Sequence, residues 1–251
     1  MTDYYESDEQ LGQYLAFHFG DQYFDVANYP RVCADRCRGL VPETDGLRAL
    51  DLGCAVGRTT FELARSFSEV TGVDLSRRFI EAAKRLQRQG QIPYQLVDEG
   101  DITRSVVADL ADSGLDGLQS RVAFEVGDAS SLADHISGYD LVFAGNLIDR
   151  LHDPVSFLQG IHHRLNVGGY LVISSPYTLL EEFTPRENWV GGFYRDGLPI
   201  TVLEGLRRYL EPHFEMIGEP EDIPFVIRET ARKFQHSIAQ LSTWRRMRVM
   251  Q

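Results

Sequence analysis

The chain alternates between short apolar runs and longer amphipathic stretches. The short runs have the length of buried strands, whereas the longer stretches place an apolar residue every three or four positions, as helices do. We predict strands at 48–52, 69–74, 121–126, 139–144 and 170–174. Before and between them we predict helices at 8–19, 30–40, 58–67, 77–88 and 154–165. Strands that alternate with helices in this way indicate a doubly wound α/β fold, with a mostly parallel sheet covered on both faces.

Two stretches interrupt the alternation. Segment 91–120 is an acidic insertion, and we predict a short helix near 104–112 within it. Segment 175–198 is rich in proline and glycine, and loops of this length in compact domains are usually lids or binding loops. After it we predict a helix and two antiparallel closing strands, at 200–210, 214–217 and 234–244.

No Pro/Gly/Ser-rich linker divides the chain, so we predict one domain, 1–251. Within it, residues 1–40 form an amino-terminal helical cap or lid, and 48–174 form the ligand-binding core with the insertion 91–120. Residues 175–251 supply a substrate loop and a closing hairpin.

The first predicted strand runs into a turn of small residues. Residues 49 to 60 read ALDLGCAVGRTT, so Asp51 ends the strand and Gly53 and Gly57 follow in the turn. Glycine leaves the backbone N–H groups bare and accepts positive φ cheaply, which suits a nucleotide-like ligand. The spacing Gly53-x-x-x-Gly57 matches neither the dinucleotide fingerprint G-x-G-x-x-G nor the phosphate-binding loop.

Polar residues also follow the next predicted strands. Asp74 ends the second strand, where a carboxylate can bond both hydroxyls of a ribose, although capping the next helix is the alternative. Asp128 follows the third strand, where it can contact the ligand or, alternatively, cap the next helix. Asn146 follows the fourth, where side chains face the crevice beyond the strand ends.

The pattern D-x-G-x-x-x-G with a later acidic residue resembles the first motifs of class I S-adenosylmethionine (SAM) methyltransferases. The resemblance implies a seven-stranded Rossmann-like sheet with an antiparallel last hairpin, SAM as cofactor, and S-adenosylhomocysteine as product. It also implies that Asp128 accepts a hydrogen bond from the adenine amine. The implied cofactor-binding residues are Asp51, Gly53, Cys54, Ala55, Gly57, Arg58, Asp74, Leu75, Asp128, Ala129 and Asn146.

Further stretches narrow the resemblance. Residues 4–7, 14–21, 50–58 and 222–229 resemble the carboxyl-terminal methyltransferase domain of ovothiol synthases, which also occurs as a stand-alone protein. The similarity extends over nearly the whole chain. It implies N-methylation of the imidazole ring of 5-thiohistidine (4-mercaptohistidine) in ovothiol biosynthesis, with a separate sulfoxide synthase as functional partner.

Such an acceptor needs groups that contact its imidazole ring. We predict His18, Asp149 and His152 as these catalytic residues. Each has a structural alternative: His18 as a packed helix residue, Asp149 as the surface partner of Arg150, and His152 as part of a turn into the next helix.

The α-carboxylate and the ring of the acceptor need further contacts. A guanidinium fork suits the carboxylate best, and we predict Arg195 or Arg228, with surface charge as the alternative. Aromatic side chains can line the site by stacking or by donating hydroxyls. For these substrate contacts we predict Tyr5, Asn146, Tyr177, Trp189 and Tyr194.

The composition and charge of the chain argue against several other classes of protein. A net charge of −12 argues against a nucleic-acid substrate. No apolar stretch reaches the roughly 18 residues of a membrane span, and the acidic amino terminus is unlike a signal peptide, so we expect a cytoplasmic protein. Neither the three cysteines nor the seven histidines have the spacing of a metal site or disulfide framework. Two alternatives stay open: methylation of another small amine, carboxylate or thiol, and a catalytically silent protein of this fold.

Overall fold

A computed structural model describes residues 4–42 and 44–248. The ends of the predicted domain, at 1–3 and 249–251, lie outside the described residues, as does residue 43.

The described part of the chain contains twelve strands and six α-helices, which alternate in the core from β1 to α4 and from β6 to β7. The strands are β1 (Arg48–Leu52), β2 (Glu69–Asp74), β3 (Gln91–Glu99), β4 (Ile102–Asp109), β5 (Val122–Val126), β6 (Tyr139–Gly145), β7 (Leu165–Ser175), β8 (Phe193–Arg195), β9 (Leu198–Ile200), β10 (Phe214–Met216), β11 (Glu221–Arg228) and β12 (Phe234–Arg246). The helices are α1 (Asp8–Phe19), α2 (Tyr29–Arg38), α3 (Arg58–Leu63), α4 (Arg77–Gln89), α5 (Pro154–Gly160) and α6 (Val202–Leu210). The predicted α/β alternation is therefore confirmed.

The central sheet has the order β10-β12-β7-β6-β1-β2-β5. Strands β5, β2, β1, β6 and β7 pair in parallel, whereas β12 runs antiparallel to both β7 and β10. These are the seven predicted strands, and β11 adds an eighth by pairing with β12. The chain moves outward from β1 to β5 and then returns to β6 on the other side of β1. That reversal opens a crevice at the carboxyl ends of the central strands.

Local signals in the sequence define the helix ends. Ser7 caps α1 by accepting from the Gln10 N–H, and Ser76 caps α4 by accepting from the Phe79 N–H. Gly90 ends α4 with φ +76°, a conformation that glycine adopts at low cost. Helix α3 ends at Leu63, before the predicted residue 67.

The helix predicted near 104–112 is wrong, because this part of the insertion is strand β4, paired antiparallel with β3. Alternate residues Ile92, Tyr94 and Leu96 of β3 are buried, which is the periodicity of a half-buried strand. The β-branched residues of β4 also favour an extended backbone over a helix.

The region after β6 also departs from the prediction. Helix α5 ends at Gly160 rather than at residue 165, and β7 begins at Leu165 rather than at residue 170. Gly168 lies inside β7 with φ +88°. The pairing of β6 with β7 shifts register in this region, which accommodates that glycine. The segment 175–198, predicted to be irregular, contains β8 and the first residue of β9, which pair as a two-stranded hairpin.

Two apolar clusters cover the two faces of the sheet. One packs α1 to α4 against the sheet and includes the fully buried Cys33 and Cys37, which act as small core residues. The other packs α5 and α6 over the opposite face, around the fully buried Trp244. In residues 4–42 and 44–248, no helix is long and apolar enough to cross a membrane.

Candidate active site

A cavity of about 440 Å³ opens at the carboxyl ends of β1, β2, β5 and β6. Its position is the topological switch point of the sheet, where α/β folds bind ligands. Its volume is within the roughly 300–1,000 Å³ that is typical of small-molecule sites. Helix α1 and the turn before it cover one side of the cavity, through Tyr5, Tyr14 and His18.

The turn after β1 forms one wall of the cavity and has the predicted backbone. Gly53, Ala55 and Gly57 have φ values of +72°, +47° and +89°. A Cβ added at Gly57 would lie 2.7 Å from the ring of Phe124, so no other residue fits there. Gly53, Cys54 and Ala55 line the cavity, whereas Gly57 acts behind the wall by shaping the turn.

Asp74 points its carboxylate at this turn. Its Oδ2 accepts from the Ala55 N–H at 2.8 Å, and its Oδ1 accepts from the Ser76 N–H at 2.9 Å. Each oxygen keeps a further lone pair for a ligand hydroxyl. Burial raises the pKa of Asp74 to about 6. The alternative for Asp74 was a role as the cap of the next helix. Ser76 caps α4 instead, so Asp74 is not needed for that role.

Asp51 lies beneath the same turn and also lines the cavity. Its Oδ2 accepts from the Thr60 hydroxyl at 2.7 Å, which ties the end of β1 to α3. Burial raises the pKa of Asp51 to about 7, and the nearby Asp74 carboxylate adds to the shift.

The wall near β5 carries the residues predicted to contact adenine. Asp128 and Ala129 both line the cavity. The Asp128 Oδ1 accepts from the Ser130 N–H at 2.8 Å, so this carboxylate does cap a short 3-10 turn while it faces the cavity. Leu75 also lines the cavity and is 56% exposed, which leaves apolar surface for a planar ring.

Asn146 follows directly after β6 in a left-handed conformation, φ +50°. The Tyr29 hydroxyl donates to its Oδ1 at 2.9 Å and shares a second hydrogen bond of 2.7 Å with the Ser174 hydroxyl. The Tyr29 contact leaves the Asn146 amide NH₂ and a second lone pair on Oδ1 for a ligand. No local pattern in the sequence indicates Tyr29, because 117 residues separate it from Asn146.

His18 is buried at the end of α1 and lines the cavity. Its Nδ1 accepts from the Arg58 N–H at 3.3 Å, so the neutral ring carries its proton on Nε2. Burial lowers the pKa of His18 to about 3, and the Arg58 charge contributes. A ring with this pKa is a hydrogen-bond donor at neutral pH and a poor general base.

Arg58 does not line the cavity, although we predicted it to contact the cofactor. Its Nε donates to Glu62 at 2.9 Å, and its Nη1 donates to the Ser113 hydroxyl at 2.7 Å and to the His18 carbonyl at 3.3 Å. The guanidinium therefore joins α3 to α1 and to the insertion.

The two arginines predicted to hold an acceptor carboxylate lie away from the cavity. Arg228 is 4% exposed, donates to the Val97 carbonyl and pairs with Asp98, which anchors β11 to β3. Arg195 is exposed on β8, with its guanidinium over the Phe193 ring.

Three of the predicted aromatic contacts also lie outside the cavity lining. The Tyr177 hydroxyl donates to Gln240 at 3.1 Å, and the Trp189 indole N–H donates to the Thr184 carbonyl at 2.9 Å. Tyr194 is 78% exposed. Tyr5 does line the cavity. Tyr14 and Phe79 lie next to it and were not among the predicted site residues. Only the fold shows that these rings lie together.

The other two predicted catalytic residues, His152 and Asp149, differ in their access to the cavity. His152 lines the cavity and is exposed. Asp149 is buried behind the lining, where Oδ1 accepts from the Ser175 hydroxyl and Oδ2 accepts from Arg150 Nη1, both at 2.9 Å. The pair with Arg150, named above as a surface alternative, is real, but its carboxylate is buried. Arg150 itself lines the cavity and was missed as a site residue.

Residues 50–171 match a protein-family profile described as "Methyltransferase domain". The ubiquinone biosynthesis O-methyltransferase of Leptothrix cholodnii is 24% identical over 54% of this chain and 46% of that protein. The chain spans about half the length of the curated relatives it matches. The solved structure of the cyclase SpnF has a TM-score of 0.61 at 17% identity and covers 98% of this chain and 95% of that one. Magnesium protoporphyrin IX methyltransferase from Synechocystis, solved with S-adenosylhomocysteine, has a TM-score of 0.57 at 15% identity, with coverage of 98% and 97%.

The chain therefore has the Rossmann-like fold of class I methyltransferases, whose cofactor is SAM, and residues 50–171 match the methyltransferase-domain profile. The residues present fit this cofactor. The Asp74 carboxylate faces the turn after β1 with acceptor capacity to spare, and a Cβ added at Gly53 would lie 3.2 Å from the Leu147 side chain. Because SpnF is named as a cyclase, the fold by itself does not define the reaction.

Proposed function

We propose that this protein transfers the methyl group of SAM to a ring nitrogen of 5-thiohistidine. The cavity carries the methyl-transfer part of the proposal, because one continuous space joins the polar wall at Asp74 and Asp128 to a second wall at Asn146 and Arg150. The thiohistidine part is supported by the sequence resemblance to ovothiol synthase domains. In this proposal a separate sulfoxide synthase is a functional partner that inserts the sulfur from which the thiohistidine acceptor is made.

SAM supplies a methyl group that is already activated by the sulfonium, so the protein needs no covalent nucleophile. The work of the residues is to hold cofactor and acceptor in line and to exclude water. Asp74 and Asp128 accept hydrogen bonds at the adenosyl end. Asn146 donates through its amide NH₂ near the middle of the cavity, and Tyr29 orients that amide.

The acceptor nitrogen must have a free lone pair before it can attack. His152 is the residue we propose to take up the ring proton, because it lines the cavity and is exposed, whereas the His18 Nδ1 is engaged and Asp149 is enclosed by donors. His18 has the role of a neutral donor from Nε2.

The test has two stages. Calorimetry first measures SAM binding to the wild type, with Asp74→Asn as the matched variant that should bind more weakly. Mass spectrometry then follows a reaction with 5-thiohistidine beside a panel of small amines, carboxylates and thiols. We expect one added methyl group on an imidazole nitrogen. Absence of SAM binding would refute the methyl-transfer proposal, and methylation of a different panel member alone would replace thiohistidine with that acceptor class.

A further inference from the structure

Arg150 stands out among the residues that line the cavity, because no other lining residue within the described chain is a lysine or arginine. The other charged lining residues include the carboxylates of Asp51, Asp74 and Asp128. A single guanidinium in an otherwise acidic cavity is the group that an anionic part of a ligand would contact.

One nitrogen fixes this guanidinium in place. Arg150 Nη1 donates to the Asp149 carbonyl and to the Asp149 Oδ2, both at 2.9 Å, and to the Thr178 carbonyl at 3.2 Å. The guanidinium also lies over the ring of Phe183, 4.6 Å from its centroid. Within residues 4–42 and 44–248, Nε and Nη2 have no hydrogen-bond acceptor. These two nitrogens form the edge that a carboxylate binds side-on, with two parallel hydrogen bonds.

Asp149, which accepts from Arg150, is itself fixed by burial and by a second hydrogen bond. Asp149 is 1% exposed, and its second oxygen accepts from the buried Ser175 hydroxyl. Arg150 keeps 28% of its side chain exposed, on the cavity side of this buried pair. The Asp149 carboxylate thus acts as a positioning group, because it orients the guanidinium before any ligand arrives.

The position of Arg150 in the fold favours the acceptor over the cofactor. The ribose and adenine contacts lie at the ends of β2 and β5, whereas Arg150 follows β6, on the other side of β1. The apolar residues Leu147 and Leu151 line the cavity beside it and reduce the access of water, which strengthens a charge-assisted hydrogen bond.

We infer that Arg150 binds the carboxylate of the methyl acceptor, so the substrate class is a small carboxylic acid such as an amino acid. The inference rests on the proposed function and deepens it. It replaces the prediction that Arg195 or Arg228 holds this carboxylate.

The first test compares 5-thiohistidine with its carboxamide, which keeps the ring and the thiol but lacks the carboxylate. In Arg150→Gln we expect KM for the acid to rise about 100-fold. At 1.4 kcal/mol per tenfold this is about 2.8 kcal/mol, which lies within the roughly 2–5 kcal/mol lost when one partner of a hydrogen-bonded charge pair is removed. The rate with the carboxamide and the Kd of SAM should change less than about threefold. Arg150→Lys keeps the charge next to Asp149 without the fork, so we expect an intermediate KM and an intact fold.

Arg186→Gln is the matched control. Its guanidinium lies 4.5 Å from the centroid of the Trp189 ring, also over an aromatic ring, but outside the cavity lining. We expect this variant to match the wild type. Equal losses with acid and carboxamide would show a structural role for Arg150, and weaker SAM binding would assign it to the cofactor carboxylate. Either result overturns the inference.

A second test separates this inference from the choice of thiohistidine. If the wild type does not methylate 5-thiohistidine, melting temperatures are measured with S-adenosylhomocysteine plus histidine, imidazole-4-acetate or benzoate, each beside its amide. Acids that raise the melting temperature of the wild type and of Arg186→Gln, but not of Arg150→Gln, support the carboxylate site. No acid-specific stabilisation in the wild type overturns it.

Discussion

At the scale of single residues, burial decides what each ionisable group in the cavity can do. His18 and Asp74 both lose solvent, yet the consequences are opposite because desolvation disfavours whichever form is charged. The pKa of His18 falls to about 3, so its ring stays neutral, whereas the pKa of Asp74 rises to about 6. His18 is therefore a donor throughout the neutral range, and Asp74 changes its charge near the bottom of that range.

The raised pKa of Asp74 predicts how SAM affinity depends on pH. If Asp74 accepts from both ribose hydroxyls, as we propose, it must be ionised, and its raised pKa means that it takes up a proton as the pH falls through about 6. We expect the Kd of SAM to increase by about tenfold for each pH unit well below that value, as for a single group that must be ionised. Calorimetry between pH 8 and pH 5 measures the effect. Asp74→Asn should bind weakly with a flatter profile, and parallel profiles would contradict the assignment.

The residue scale also shows which site predictions were accessible from the sequence. Asp51, Gly53 and Asp74 lie within one strand–turn–helix–strand unit, so their spacing alone brings them together. Arg228 and Trp189 belong to segments whose side chains are directed by distant partners, Val97 and Asp98 for the arginine and Thr184 for the indole. No local pattern records such partners.

At the scale of elements, the insertion after α4 has a structural role next to the cavity. Its strand β3 packs against α1, the helix that covers one side of the cavity. A Cβ added at Gly12 of α1 would lie 2.3 Å from the backbone carbonyl oxygen of Gln95 in β3. This glycine therefore allows the close approach of the helix to the hairpin.

We expect Gly12→Ala to destabilise the protein by about 1–3 kcal/mol, because the new methyl group meets backbone rather than a flexible side chain. Gly160→Ala, at the end of α5, is the control. A Cβ there meets no atom within 4 Å, and alanine reduces the entropy of the unfolded chain, so we expect no loss of stability. Urea unfolding of both variants measures the difference, and equal stabilities would refute the close packing of α1 on β3.

At the scale of the whole molecule, the cavity is enclosed by parts of the chain that are far apart in sequence. Tyr5 and His18 come from the amino-terminal segment, and Phe183 comes from the loop after β7. The Ser76 hydroxyl donates to the Tyr5 carbonyl at 3.2 Å, and Asp8 pairs with Arg78, so polar contacts join the amino-terminal segment to α4. In the described residues, the segment from Tyr4 through α1 therefore lies against the cavity, and the role of residues 1–40 as a cap or lid stays a prediction.

If the amino-terminal segment and the loop close over bound ligands, binding should order both. We expect SAM together with the acceptor to slow proteolysis within residues 4–25 and 176–192, with little change in exposed parts of the β3–β4 hairpin, which serve as the internal control. Limited proteolysis with mass mapping of the cleavage sites gives the rates. Equal cleavage with and without ligands would contradict closure.

The sequence by itself determined the α/β alternation, the glycine turn after β1 and the carboxylates at the strand ends, because each depends on residues close together in the chain. It misjudged the insertion, where short β-branched runs were assigned to a helix although pairing with a neighbouring strand makes them extended. Only the tertiary structure decided that Asp149 is enclosed behind Arg150, that Tyr29 orients Asn146, and that Arg228 anchors β11 instead of facing the cavity. These outcomes depend on which distant donors and acceptors are buried together, since a buried polar group must find a partner wherever the fold provides one.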